Sequence, residues 1–290
     1  MSNDKVIMND LKGLPRKLRN KIDMYPILMR DALDFYESVG VLNLDKNSID
    51  DANILQMSYL KFLLQFSYYD AYKHLRERLI KLLQLIFRTD DIDLGVKVKV
   101  EKLIPKDGTD KFEKVVEDEF LSLSKEPNAC FIEDVKCFVL VDGKIELSEF
   151  DFSKIKGIVG EQNMVEMSDD KYQSKEYKEA MERARKFMAK KNGKQAPLDQ
   201  RILAYQYEMK IDDINKILDM TLYQFNRSLE TIIHIKHSDT LQHALYSGMV
   251  KPKENTKIPH WLSAIERDKE DSLKLDAETF AKNTQQMLTT

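Results

Sequence analysis

Glycine and proline are scarce in this chain, nine and seven among 290 residues, and helix formers dominate what remains. Cysteine is scarcer. Cys130 and Cys137 stand in "CFIEDVKC" with six residues between them, which matches neither a redox Cys-x-x-Cys pair nor a zinc knuckle. Two cysteines in a chain this large also exclude a disulfide framework, so both are expected as reduced thiols in a cytoplasmic setting. A large excess of charge of one sign is missing too. The formal net charge is −3, which leaves no overall field to attract nucleic acid or an acidic membrane. Long apolar runs are absent: the most apolar region, Ile54 to Phe87, is broken by Lys61, Asp70, Lys73, Arg76, Glu77, Arg78 and Lys81. It never approaches the roughly 18 apolar residues that a spanning helix needs. "MSNDKVIMNDLKGLPRKLRNK" has no apolar core of signal-peptide length. A soluble protein without membrane contact is expected.

What is present is a globular profile, 33% charged and 42% apolar, with enough chain for one large domain or two ordinary ones. "YPILMRDALDFYESVGVL" places Ile27, Leu28, Ala32, Phe35 and Val39 at helical spacing. The turn-rich "NLDKNSIDD" follows, with Ser48 or Asp50 able to cap the next element. From Ala52 to Phe87 the pattern predicts two apolar-rich helices packed as a hairpin, broken near "SYYDAY". Then the period changes. "GVKVKVEKL" alternates Val96, Val98 and Val100 with lysines, as in a strand with one wet face. "FVLVDGKIEL" joins two β-rich runs through Asp142-Gly143, where a primed turn would close a hairpin. Ser148 and Asp151 resemble a capping box that opens a helix through Val159, and "GIVGEQN" reads as its end.

Beyond Ser168 the chain returns to helix, with Glu176, Glu179 and Glu182 early in one segment, basic residues late, and Asn192-Gly193 as a stop. The fold class expected is therefore α+β and predominantly α-helical. Its parts are a helical N-terminal part (1–90), a small antiparallel-sheet part (91–167), a helical C-terminal part (168–265) and a polar arm (266–290).

No Gly-x-Ser-x-Gly elbow, P-loop, Gly-x-Gly-x-x-Gly or His-Glu-x-x-His is present, so neither enzyme chemistry nor a cofactor is expected. Asp90, Asp91 and Asp93 read as a solvated loop rather than a hard-cation site. His234, His237, His243 and His260 crowd into a short stretch, but their spacings match no standard zinc pattern, and no metal is expected. The run Arg183, Arg185, Lys186, Lys190, Lys191 and Lys194 has two readings. It complements a helix dipole, and as an alternative it contacts phosphate.

"MKIDDINKILDMTLYQFNRSLETI" raises the nucleic-acid question again, because it reads as helix, turn, helix. Ile214, Ile217 and Leu218 offer one inner face, Met220, Leu222, Phe225 and Leu229 the other, and Thr221 a cap. The charges point elsewhere. Lys210, Lys216 and Arg227 face Asp212, Asp213, Asp219 and Glu230, with Asp219 in the turn where glycine is usual. A unit with net negative charge repels a polyanion, so two-helix packing is the favoured reading. DNA or RNA binding through Lys216, Arg227 and the 183–191 basic residues is the alternative.

The phrases "VLNLDKNSI", "MSYLKFLL", "GEQN", "MTLYQFNRSLE", "YSGMV" and "HWLSAI", scattered from Val41 to Ile265, resemble tail gene cluster proteins of tailed bacteriophages of Gram-positive bacteria. They are most similar to the tail-assembly-chaperone-like proteins. The resemblance implies a non-enzymatic protein that binds other phage tail proteins, above all the tape measure protein, and acts in the cytoplasm of the infected host. A structural tail or baseplate component of the virion is the neighbouring reading, and a homo-oligomer fits either. Thirteen methionines and wide apolar helical faces suit such a partner, although ordinary core packing explains them equally.

Overall fold

The α+β, predominantly helical class holds in the computed structural model. It describes residues 3–19, 22–44, 46, 52–69, 72–105, 112–132, 135–167, 179–180, 183, 186 and 196–247. Two compact units divide the chain: Met1–Asp170 with Leu218–Phe225, and Lys171–Ile217 with Asn226–Thr290.

The first unit opens with α1 (Asn3–Leu11) and a two-stranded antiparallel ribbon of β1 (Arg16–Leu18) and β2 (Ile22–Met24). The helix expected from Tyr25 starts later. Ile27 and Leu28 are extended, Met29–Asp31 forms a single tight turn, and α2 runs only over Ala32–Val39. Two causes act together. Pro26 biases the residue before it away from helix, and the backbone of Ile27 is held by tertiary hydrogen bonds on both sides. Its N–H donates to Asn163 Oδ1 at 3.0 Å, and its C=O accepts from Leu222 N–H at 2.8 Å.

The hairpin expected over 52–87 is three helices rather than two: α3 (Ala52–Gln56), α4 (Tyr59–Phe66) and α5 (His74–Phe87). Ser58 makes the extra break. Its side chain caps α4 by accepting from Lys61 N–H at 3.2 Å, which requires a non-helical backbone at 58. The break at "SYYDAY" falls where expected, and Ser48 and Asp50 lie outside the described residues. Leu60, Leu63 and Leu64 of α4 and Leu79, Leu82, Leu83 and Ile86 of α5 are all buried, and at roughly 2 kcal/mol each they form the main hydrophobic term here.

β3 (Ile92–Pro105), β4 (Phe112–Ser122), β5 (Lys136–Val141) and β6 (Ile145–Ser148) form an antiparallel sheet in the order β4-β3-β5-β6. Val96 is buried, but Val98 and Val100 are only half-buried. β5 pairs with β3 only from Ile92 to Lys97, and beyond that point β3 continues as a ribbon with β4. Gly95 lies where the two strands press together. An added Cβ would sit 2.5 Å from Leu121 O and collide with the Phe120 ring. At the β5–β6 connection Asp142 and Gly143 have φ of 52° and 60°, the left-handed pair of a primed turn, and Lys144 N–H donates to Val141 C=O at 3.1 Å. α6 (Glu149–Asn163) then starts on a full capping box between Ser148 and Asp151 and runs one turn past Val159.

The second unit contains α7 (Leu198–Met209), most of the single turn α8 (Asn215–Leu218), and Asn226 onward of the long helix α9 (Leu222–Tyr246). Lys236 and Glu208 form an ion pair at 2.8 Å within it. Glu179, Ala180, Arg183 and Lys186 are helical, while the Asn192-Gly193 stop and the 266–290 arm lie outside the described residues. Among the described residues no helix is long and apolar enough to cross a membrane.

Candidate interaction surfaces

Thr221 shows why the 209–232 stretch folds as it does. Its Oγ1 accepts from Gln224 N–H at 3.1 Å, and Gln224 Oε1 accepts from Thr221 N–H at 2.9 Å, so the two satisfy each other's orphan backbone donors at the start of α9. Gln224 also donates through Nε2 to Leu11 C=O at 2.8 Å. Met29 N–H donates to Met220 C=O at 2.8 Å, and Leu28 and Thr221 form an isolated antiparallel bridge. Asp219, unexpected in the turn, is ion-paired with Arg30. Residues 218–225 are thus a strand-like strap followed by a capped helix start, packed into the first unit. The first helix of the expected helix–turn–helix shrinks to one turn, because Asp213 takes the N–H and side chain of Asn215 into a local turn, both at 2.9 Å.

"GEQN" at the end of α6 meets the same segment. Gln162 Nε2 donates to Leu14 and Met24 C=O at 3.4 Å each, and Asn163 secures Ile27 N–H. Glu161 joins Arg16 at 2.6 Å, and Arg16 grips Asp10 through two nitrogens, at 3.0 and 2.5 Å. Burial opposes the Arg16 charge, but its bonds to Asp10 and Glu161 outweigh burial and raise its pKa. Two of the phrases that carry the phage resemblance therefore converge on residues 24–29. That meeting is a structural one.

Of the candidate nucleic-acid residues, Lys216 is exposed on α8, next to the exposed Asp212 and Asp213. Arg227 is paired with Glu230 at 3.4 Å on α9. Arg183 and Lys186 are exposed on helical backbone, and Arg183 Nε donates to Glu179 C=O at 3.2 Å. Arg185, Lys190 and Lys191 lie outside the described residues, as does His260. Among the described residues no three His, Cys, Asp or Glu side chains are placed to hold a metal ion. Asp93 is not a loop residue: it lies in β3, where its Oδ1 accepts from Ser122 Oγ and Leu94 N–H, both at 2.9 Å. Cys130 and Cys137 are free and buried. A cleft of about 440 Å³ beside α2 and α5 includes Asp34, Lys81 and Arg88, but Lys81 is already paired with Asp34 at 2.8 Å.

The feature that the sequence reading passed over lies at the "SYYDAY" break. Tyr68, Tyr69 and Tyr72 are exposed there, Tyr69 by 56%, and Phe131 and Ile132 are exposed beside them. Tyr68 packs edge-on against Phe131 at 5.0 Å, and Tyr72 lies 4.1 Å from Phe66. Gln65 Nε2 ties the two segments by donating to Cys130 C=O at 2.9 Å. A contiguous aromatic patch of this kind on a protein surface marks an interaction site more often than a bare surface does. Three tyrosines in a turn, where no helical face claims them, were the available signal.

Residues 190–266 match the family model of the YomV second domain. YomV is a Bacillus phage-region protein, so this part of the chain is similar to a phage-associated domain family. No curated protein and no solved structure matches the chain.

Proposed function

We propose that this is a non-enzymatic protein of phage tail morphogenesis that binds other proteins, an assembly chaperone for the tape measure protein in the infected host's cytoplasm. The observation that carries the binding part is the exposed aromatic patch of Tyr68, Tyr69, Tyr72, Phe131 and Ile132. Tyrosine offers a rigid apolar body with a polar tip, which suits a surface that must be wet alone and dry in a complex. The phage setting rests on the similarity of residues 190–266 to a phage-associated domain. The choice of tape measure protein comes from the resemblance to tail-assembly-chaperone-like proteins, whose partner is a long helical chain prone to self-association.

Co-expression with the tape-measure-like protein of a neighbouring gene is the test. Capture of the soluble partner is expected, and Tyr68→Ser/Tyr69→Ser/Phe131→Ser should weaken it by roughly tenfold or more while far-UV circular dichroism stays unchanged. No capture, or equal capture by the triple variant, ends this reading. Detection of the chain in purified virions would favour the structural tail component instead. Nothing in the α8–α9 geometry favours the nucleic-acid alternative, since Arg227 is already paired with Glu230.

A further inference from the structure

β4 lies at the edge of its sheet and is eleven residues long, and among the described residues it pairs only with β3. Its backbone bonds can be assigned from the end of the ladder. Leu123 N–H donates to Leu94 C=O at 2.8 Å, which makes that pair a hydrogen-bonded one. Alternation along an antiparallel ladder then directs the backbone groups of Leu121, Glu119 and Glu117 toward β3. Those of Phe120, Asp118 and Val116 point outward, away from β3. Over the same stretch the side chains of Val116, Glu117, Asp118 and Glu119 are all exposed, Val116 by 57%. A row of outward amides and carbonyls on a long strand is a template for another strand.

The charges choose the occupant. Glu117 and Glu119 lie on one face of β4, opposite Val100 and Val98, whereas Asp118 lies on the other face opposite Lys99, so the acidic face that an added strand meets is that of Glu117 and Glu119. A second β4, paired antiparallel about Asp118, would set Glu117 opposite Glu119 and Asp118 opposite Asp118, and like charges in register are destabilising. A strand with lysine or arginine at intervals would gain there instead.

We propose that the outer edge of β4 is a docking site for an extended basic segment of another polypeptide, which adds to the sheet as a fifth strand. This goes beyond the aromatic patch and does not depend on it. The backbone groups of Val116, Asp118 and Phe120 supply the ladder, and Glu117 and Glu119, on one face, set the preference for a basic partner.

The full chain is titrated with a short synthetic peptide of alternating valine and lysine, labelled for fluorescence polarisation, and with the same peptide carrying glutamate for lysine. The lysine peptide should bind at about 50 mM salt and weaken severalfold at about 300 mM, and the glutamate peptide should not bind. Asp118→Pro removes an N–H that makes no bond to β3, so the native ladder survives while strand addition is blocked. It should lower affinity for the lysine peptide by roughly tenfold or more. Glu117→Lys/Glu119→Lys provides a second variant and should have the same effect without proline. Amide exchange at Val116, Asp118 and Phe120 should slow on binding. The proposal is overturned if the lysine peptide does not bind at low salt or binds both variants as tightly as the parent. It is likewise overturned if Asp118→Pro dissociates a self-association of the chain in the absence of peptide.

Discussion

Cys137 and Asn163 show how much a single buried atom carries in this protein. Burial, with a smaller contribution from the Glu149 charge, pushes the Cys137 thiol from 9.0 to about 12, and burial also raises Cys130. A buried thiol held protonated is inert toward disulfide exchange, so both cysteines should react with Ellman's reagent only after denaturation. The linkage has a definite sign. The folded state keeps the Cys137 proton that the unfolded chain loses above 9.0, so stability that is complete below that pH declines as pH rises toward 12. Urea midpoints measured between these values should fall less steeply in Cys137→Val than in the parent. Asn163 acts through a hydrogen bond. Its Oδ1 is the acceptor for Ile27 N–H, so Asn163→Leu leaves that buried donor unsatisfied and should cost about 2 kcal/mol in urea denaturation.

At the scale of elements, the boundaries that were readable are the ones set by a local bond. The Ser148–Asp151 capping box, the Asp142-Gly143 turn and the Thr221 cap each involve residues within three positions of one another. Thr221→Ala should destabilise by about 1 kcal/mol by thermal or urea unfolding, and Thr221→Ser should recover most of the loss. Elements that departed from expectation did so for reasons outside their own segment. The helix expected from Tyr25 gives way to an extended Ile27–Leu28 because Asn163 and Leu222 claim the Ile27 backbone. β3 loses its one-wet-face pattern after Lys97 because its pairing with β5 stops there. Helical spacing of Ile27 and Leu28 and the valine alternation were real patterns with no neighbour to complete them.

The first unit as a whole is closed by a strap that comes late in the chain. Leu218–Phe225 belong to a unit otherwise made of Met1–Asp170, and they fall inside the stretch that matches the YomV second domain. The stability of the N-terminal unit therefore depends on residues far along the sequence. Asn163 and Thr221 both support the Ile27–Leu28 segment, the first at Ile27 N–H and the second at the start of the helix whose Leu222 binds Ile27 C=O. A double-mutant cycle of Asn163→Leu and Thr221→Ala should show coupling of about 0.5–1 kcal/mol, whereas additive losses would mean that the strap and α6 hold the segment independently.

Composition and local pattern were enough to give a predominantly helical α+β protein, its central hairpin and the helix caps at Ser148 and Thr221. Each of these follows from bonds or periodicities that span only a few residues. The aromatic patch joining Tyr68 to Phe131, the meeting of "GEQN" with Ile27 and the position of β4 at the end of its sheet among the described residues were decided only by the tertiary structure. Each depends on which distant segments become neighbours, and that is set by how all the apolar faces are buried at once rather than by the period of any one of them.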